Sequence, residues 1–341
     1  MKKLISLLLA LVMILSLSTV AFAVGEDGET QKEPANIVLQ KTYSLTNPGT
    51  TIPDEIFTFK FSNGQVKDAA VGVTAAPSIN DATVSFSAND FVKDGEPVTE
   101  ATKNVDFGLR TINWPSFGVY TYTVKESKGN NAGVGYSEAE YTMKVTVVTD
   151  DEGILSVESV SFTNPSDEKT GIVNNTYSAG SLAVKKVVTG NLGDKTKEFE
   201  VTVTFTAPTG KTVSAPITYV EDGETKTIAA NWTDGVATAV INLHDQETVT
   251  FTNIPYGVTY KVEEDTKYTT EAEGGYKTAD YDFDDDNKKI DTASDNVTIT
   301  NEKESTVDTG VVLDTLPYVM ILAVAAVCGM ALLLKKRHMA D

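Results

Sequence analysis

The chain has 341 residues, a formal net charge of -20 at pH 7, one cysteine and two histidines. So acidic a chain would repel the phosphates of a nucleic acid, which excludes nucleic-acid binding as its main role. A single cysteine leaves no disulfide within the chain, and so few histidines leave little from which to build a zinc site or a Ser-His-Asp triad. We therefore expect no metal and no cofactor.

The N-terminus has the pattern of an export signal. Lys2 and Lys3 precede an apolar run that ends near Leu17, and Ala21-Phe22-Ala23 has the small-x-small form of a signal-peptidase site. Residues 1–23 are therefore predicted to be a signal peptide. Residues 24–36 are polar and acidic without periodicity, which predicts a flexible lead-in to the first domain.

Short alternating apolar runs follow, separated by turns rich in Gly, Asn, Asp and Pro. Phe57, Phe59 and Phe61 form one such run, and Phe199, Val201 and Val203 another. No stretch between residues 37 and 304 keeps the 3.6-residue period of a helix over its full length. The pattern predicts an all-β protein with two tandem Ig-like antiparallel β-sandwiches, at 37–177 and 178–304.

The two halves repeat one motif. Asn113 to Glu126 and Asn253 to Glu264 share the order Asn-x-Pro, Gly-Val, Tyr-x-Val-x-Glu. Tyr, Val and Glu stand at alternate positions, so all three side chains face the same way along a strand. Each half is thus predicted to direct one Glu, Glu126 or Glu264, into its core.

A lysine and an asparagine complete each set. Lys41 and Lys186 stand in their first strands where alternation requires an apolar residue, and Asn175 and Asn301 do so in the last strands. Asn174 is the alternative to Asn175. One such lysine is most often a snorkelling or edge residue. Two matched triplets in the same order favour a functional interpretation.

Buried together, these three groups have a specific chemistry. Burial disfavours charge, so the amine loses its proton readily and the acid retains one. A neutral amine is a nucleophile, and an adjacent asparagine carboxamide is its electrophile. We expect the protonated Glu to hydrogen-bond the amide oxygen and to shuttle protons as ammonia leaves. The product would be a Lys-Asn isopeptide bond.

The C-terminus has the pattern of a surface anchor. Residues 305–310 contain Thr306-Val307-Asp308-Thr309-Gly310, residues 316–334 are almost wholly apolar, and the basic tail 335–341 follows. The apolar run is long enough for a transmembrane helix, and its basic flank predicts a cytoplasmic end.

In these features the chain resembles the sortase-assembled backbone pilins of Gram-positive bacteria, of the streptococcal isopeptide type with CnaB-like domains. The resemblance implies isopeptide bonds Lys41–Asn175 and Lys186–Asn301, with Glu126 and Glu264 as catalytic acids. It also implies sortase cleavage between Thr309 and Gly310, although Asp308 stands where the family often has Pro. Lys169 occupies about the place of the lysine that joins one subunit to the next.

The resemblance further implies a structural subunit on the cell surface, anchored to the wall, that is not an enzyme. Its partners would be other copies of itself, a class C sortase, the housekeeping sortase and minor pilins. If Lys169 is the acceptor, tension would enter there and leave at Thr309, so the bond at Lys186 would protect the second domain from unravelling.

Parts of the sequence also fit other functions. A wall-anchored adhesin of the same domain type is the main alternative, and a glycosidase with paired carboxylates is a remote one, because Glu126 and Glu264 belong to different domains. The acidic run from Asp280 to Asn287 lacks the sixth-position Gly and the closing Glu of a calcium loop, so a solvated turn is favoured.

Overall fold

The computed structural model describes residues 39–305 and 321–326. Residues 321–326 are helical, and the described part of the chain contains no helix long and apolar enough to cross a bilayer. The predicted signal peptide, the lead-in, most of the anchor, the basic tail, Thr309 and Gly310 lie outside the described residues.

Twelve strands build the first sandwich, and four of them are two-residue hairpin or edge pieces. In chain order they are β1 (Leu39–Leu45), β2 (Glu55–Lys67), β3 (Ala82–Phe86), β4 (Val92–Lys93), β5 (Glu96–Pro97), β6 (Glu100–Val105), β7 (Gly118–Glu126), β8 (Val134–Gly135), β9 (Glu140–Thr149), β10 (Leu155–Thr163), β11 (Lys169–Thr170) and β12 (Ile172–Tyr177). A four-stranded sheet of order β6-β1-β12-β8 faces a six-stranded sheet of order β11-β10-β9-β7-β2-β3.

Nine strands build the second sandwich. They are β13 (Ala179–Thr189), β14 (Phe199–Thr206), β15 (Ile217–Glu221), β16 (Glu224–Ile228), β17 (Val236–Leu243), β18 (Thr248–Pro255), β19 (Thr259–Glu264), β20 (Asp280–Phe283) and β21 (Ser294–Glu302). Here a six-stranded sheet of order β16-β15-β18-β13-β21-β20 faces a three-stranded sheet of order β17-β14-β19.

Short 3₁₀ turns are the only helical elements among residues 39–305. They span Ala88–Phe91, Leu109–Thr111, Thr233–Gly235, Thr266–Thr269 and Glu271–Glu273. The prediction of an all-β protein is therefore confirmed.

Alternation along the strands gives each sandwich its core. In β7 the residues Tyr120, Tyr122 and Val124 are buried while the residues between them are more exposed. Aromatic rings meet edge to face in the first core, as in the pair Tyr43 and Phe57, whose centroids are 5.1 Å apart. Such burial of large apolar side chains is the main stabilising contribution to each sandwich.

The first and last strands of each sandwich pair in parallel, which alternation alone did not predict. β1 pairs with β12 and β13 pairs with β21, whereas the other sheet pairings are antiparallel. In the register, Lys41 is opposite Val173 and Lys186 is opposite Ile299. Each asparagine lies two residues beyond that partner, so Lys and Asn share one face of the sheet.

The sandwiches meet through asparagine side chains. Asn47 Nδ2 donates to the Ala179 carbonyl oxygen at 2.7 Å and to the Tyr256 hydroxyl at 2.9 Å. Asn253 Oδ1 accepts the Thr51 N–H at 3.0 Å. These bonds fix the first sandwich against the start of the second.

Asn131 makes the most extensive of these contacts. Its Nδ2 donates to the carboxylate of Glu55 in the first sandwich, while its Oδ1 accepts hydroxyl hydrogen bonds from Thr212 and Ser214 in the second. Nearby Gly133 has φ of 77°, and a Cβ there would lie 2.5 Å from the Ser178 carbonyl oxygen. Only glycine fits this close approach of two backbones.

Candidate functional site

Three strands bring together the side chains of the first triplet. Lys41 is on β1 and Asn175 on β12 of one sheet, and Glu126 is at the end of β7 in the facing sheet. Lys41 Nζ donates to Glu126 Oε2 at 2.6 Å, and Asn175 Nδ2 donates to Glu126 Oε1 at 2.5 Å. The carboxylate thus bridges the amine and the carboxamide.

The second triplet repeats this arrangement. Lys186 Nζ donates to Glu264 Oε2 at 2.5 Å, and Asn301 Nδ2 donates to Glu264 Oε1 at 2.7 Å. Here the lysine and the asparagine belong to the larger sheet and the acid to the three-stranded one. The lysine and the asparagine therefore lie on the smaller sheet in the first sandwich and on the larger sheet in the second.

Both lysines are removed from water. The side chains of Lys41 and Lys186 are each 0% exposed, and those of Glu126 and Glu264 are 0% and 5% exposed. Asn174, the alternative to Asn175, faces solvent, whereas Asn175 is buried. Among the two candidates, only Asn175 lies beside the acid.

Burial changes the protonation of the amines. It lowers the pKa of Lys41 from 10.5 to about 8, against the opposing charge of Glu126. Burial also lowers the pKa of Lys186, and Glu264 opposes that shift. At physiological pH the neutral fraction of each amine is therefore far larger than that of a solvated lysine.

A phenylalanine ring lies beside each amine. Lys41 Nζ is 4.4 Å from the centroid of the Phe57 ring, and Lys186 Nζ is 4.4 Å from that of Phe199. Both phenylalanines belong to the alternating runs that predicted the strands. Their role at the amines was not evident from sequence, because it depends on which strand lies opposite the lysine.

The orientation of the carboxamides differs from the sequence-based expectation. In both triplets the acid faces the amide nitrogen, not the amide oxygen. In the first triplet the oxygen, Asn175 Oδ1, instead accepts the backbone N–H of Ser137 at 2.9 Å. Ser137 lies in the segment between β8 and β9 and had no sequence signal, since any residue supplies a backbone N–H.

The remaining predicted positions lie apart from these triplets. Lys169 is exposed on the edge strand β11, paired with Thr163 of β10. Asp285 and Asn287 form hydrogen-bonded turns with backbone N–H groups, and within residues 39–305 and 321–326 no group of three or more His, Cys, Asp or Glu side chains could hold a metal ion. His244 contacts Glu247 on the surface.

Sequence comparison matches the two sandwiches to separate families. Residues 37–178 match the family model described as Spy0128-like isopeptide containing domain, and residues 180–303 match a domain of unknown function, DUF7601. The chain is 28% identical over 327 residues to a pilin of Streptococcus pyogenes serotype M1, covering 91% of this chain and 93% of that protein.

Solved structures show the same fold. The major pilin of Streptococcus pyogenes matches at 24% identity with a TM-score of 0.53, over 80% of this chain and 100% of that one. The major pilin T3.2 from the same species matches at 24% identity with a TM-score of 0.51, over 79% of this chain and 98% of that one. Residues 37–178 are therefore similar to the Spy0128-like isopeptide containing domain, and the chain as a whole is similar to a streptococcal pilin in sequence and to streptococcal major pilins in fold.

Proposed function

We propose that the chain is a structural backbone subunit of a covalent cell-surface pilus and that each sandwich is locked by a self-formed Lys-Asn isopeptide bond. The observation that carries the proposal is the duplicated, buried bridge in which one carboxylate holds both a lysine amine and an asparagine amide nitrogen. The similarity to pilins over 91% of the chain supports the role as a subunit.

The geometry supports a single-turnover reaction. Glu126 takes a proton from the Lys41 ammonium, and the neutral amine attacks Cγ of Asn175. Glu126 already contacts Nδ2, the leaving group, so it is placed to return the proton as ammonia departs. Lys186, Glu264 and Asn301 act in the same roles in the second sandwich. The fold supplies most of the rate by holding the reactants together.

The acid does not need to reach the amide oxygen in this scheme. A protonated carboxyl beside Nδ2 makes ammonia the leaving group, which is the difficult part of breaking an amide. Once ammonia has left the site, the reverse reaction lacks its nucleophile, and the exclusion of water protects the new amide from hydrolysis. The chain acts here on itself only, as a structural protein.

Polymerisation and anchoring are the second part of the proposal. A sortase would cleave between Thr309 and Gly310 and join Thr309 to Lys169 of another copy, with residues 316–334 and the basic tail retaining the precursor at the membrane. Exposure of Lys169 on an edge strand supports access by an enzyme. Under tension, the bond from Lys186 to Asn301 would then carry load past the second sandwich.

Intact mass tests the crosslinks. The folded chain should be lighter than its sequence mass by two ammonia molecules, and peptide mapping should give branched Lys41–Asn175 and Lys186–Asn301 peptides. A mass equal to that of the unmodified chain would refute the proposal. For the polymer, blots of wall extracts should show a ladder of high-mass forms, whereas a single discrete band would indicate a surface protein displayed singly, as an adhesin is.

A further inference from the structure

The two carboxamide oxygens have different surroundings. Asn175 Oδ1 accepts the Ser137 N–H at 2.9 Å. Asn301 Oδ1 is also buried, but within residues 39–305 and 321–326 it has no hydrogen-bond partner. The two sites therefore match in amine, acid and leaving nitrogen but differ at the atom where negative charge develops.

We propose that the backbone N–H of Ser137 is an oxyanion donor for bond formation in the first sandwich, and that the first bond consequently forms faster than the second. The inference rests on the proposed isopeptide chemistry and adds a group to it that neither triplet contains. An oxyanion donor is effective when it lies about 2.7–3.1 Å from the position that the oxyanion will occupy. In the unreacted site the Ser137 N–H already donates to Oδ1 at 2.9 Å, which is the atom on which the charge develops.

The step balances without any outside reactant. As Lys41 Nζ bonds to Cγ of Asn175, the C=O π electrons move to Oδ1, which becomes an oxyanion held by the Ser137 N–H. The attacking nitrogen passes a proton to the leaving nitrogen through Glu126. The Cγ–Nδ2 bond then breaks, the C=O bond reforms and one ammonia is released.

The donor is held in place before the reaction. Ser137 follows Tyr136, whose hydroxyl accepts the Asn131 N–H at 3.2 Å and also hydrogen-bonds Glu55. Asn131 is in turn fixed to the second sandwich. The segment that carries Ser137 is thus held by Glu55 and, through Asn131, by the second sandwich. The Ser137 N–H therefore needs little reorganisation when negative charge develops on Oδ1, which is the condition for a large electrostatic stabilisation.

The same contact determines which way the carboxamide faces. With Oδ1 bound to an N–H, Asn175 can present only its Nδ2 to Glu126. Asn301 has no such constraint, because its oxygen lacks a donor among the described residues. The second site must therefore reach its transition state with its oxyanion less stabilised.

The test uses a chain that can form only the first bond, made by Lys186→Met. The chain is purified unfolded in denaturant, its unreacted mass is verified, and it is refolded by dilution and quenched in acid over time. Ser137→Ala in this background retains the N–H and is the parent. The test variant replaces that alanine with its α-hydroxy acid, so that an ester oxygen takes the place of the N–H and the side chain is unchanged.

The parent should lose one ammonia at the rate of the chain with Ser137, and the ester variant should react on the order of 10²-fold more slowly. Equal rates for parent and ester would overturn the oxyanion role. In the unsubstituted chain, branched Lys41–Asn175 peptides should accumulate before Lys186–Asn301 peptides, and the reverse order would overturn the rate difference. If the parent lost no ammonia at all, the proposed isopeptide chemistry itself would be wrong.

Discussion

Lys41 and Asn175 lie on adjacent parallel strands and donate to opposite oxygens of one buried carboxylate. The parallel pairing of β1 with β12 sets this relationship, since Lys41 is opposite Val173 and Asn175 is two residues further along. A shift of the register by one residue would turn one of the two side chains to the other face of the sheet. The site therefore depends on strand register as much as on the identity of the residues.

The acids should be required for the crosslinks and for the stability that these provide. Glu126→Gln keeps the size of the side chain but removes the proton acceptor, so the first bond should not form and the chain should lose one ammonia instead of two. A crosslink closing a loop of about 100 residues or more restricts the unfolded chain by roughly 5 kcal/mol. The first sandwich should accordingly unfold at markedly lower temperature by calorimetry.

Glu264→Gln is the matched variant in the second sandwich. It should abolish only the Lys186–Asn301 bond and leave the first transition unchanged. Glu140→Gln is the control, because Glu140 contacts Lys125 on the surface. Full loss of two ammonias in Glu126→Gln would contradict the role of this acid.

The unreacted first sandwich should become more stable as pH rises. Asn175→Ala removes the electrophile and leaves Lys41 as a free amine whose pKa is lowered to about 8 from 10.5. Between these pH values the unfolded chain binds a proton on Lys41 that the folded chain has lost, so the free energy of unfolding increases with pH. The gain by pH 10.5 should be on the order of 3 kcal/mol.

The control for this measurement is the double variant Lys41→Met with Asn175→Ala. Tyrosines with raised pKa, such as Tyr43 and Tyr177, titrate equally in both proteins, so the difference between them isolates the lysine. Denaturant unfolding across pH 7 to 10.5 gives the comparison. If the difference in free energy of unfolding between the two proteins does not change over this range, burial does not lower the pKa of Lys41.

Asn131 should couple the two sandwiches. Asn131→Ala removes its hydrogen bonds to Glu55, Thr212 and Ser214, each contributing about 1 kcal/mol, and leaves Glu55 buried with one donor fewer. We expect greater motion between the sandwiches by small-angle scattering and a wider separation between their two thermal transitions. Asn130→Ala is the matched control, because the Asn130 side chain is exposed and Thr212 contacts only its backbone. The loss of two ammonias should be unchanged in both variants.

Lys169 should be the acceptor in polymerisation. Lys169→Arg keeps the positive charge but removes the primary amine that would attack the acyl-enzyme of a sortase. The ladder of high-mass forms should therefore disappear while monomer is still produced. Lys93→Arg changes another exposed lysine on a hairpin and should leave the ladder intact. A normal ladder from Lys169→Arg would assign the linkage to a different lysine.

Much of this protein could be inferred from its sequence. Alternation of apolar residues predicted strands, and the repeated Tyr-x-Val-x-Glu motif directed Glu126 and Glu264 inward, because side-chain direction along a strand has a fixed period of two. The same rule identified Lys41, Lys186, Asn175 and Asn301 as inward polar residues. Local periodicity was sufficient for these predictions.

The tertiary structure alone decided what those residues contact. Parallel pairing of the first and last strands, the rings of Phe57 and Phe199 beside the amines, and the acid facing Nδ2 all depend on which distant strands become neighbours. The Ser137 N–H that reaches Asn175 is a backbone group, and every residue but proline carries one. A sequence determines the direction of a side chain locally, whereas a contact across a sandwich is fixed only when two sheets pack.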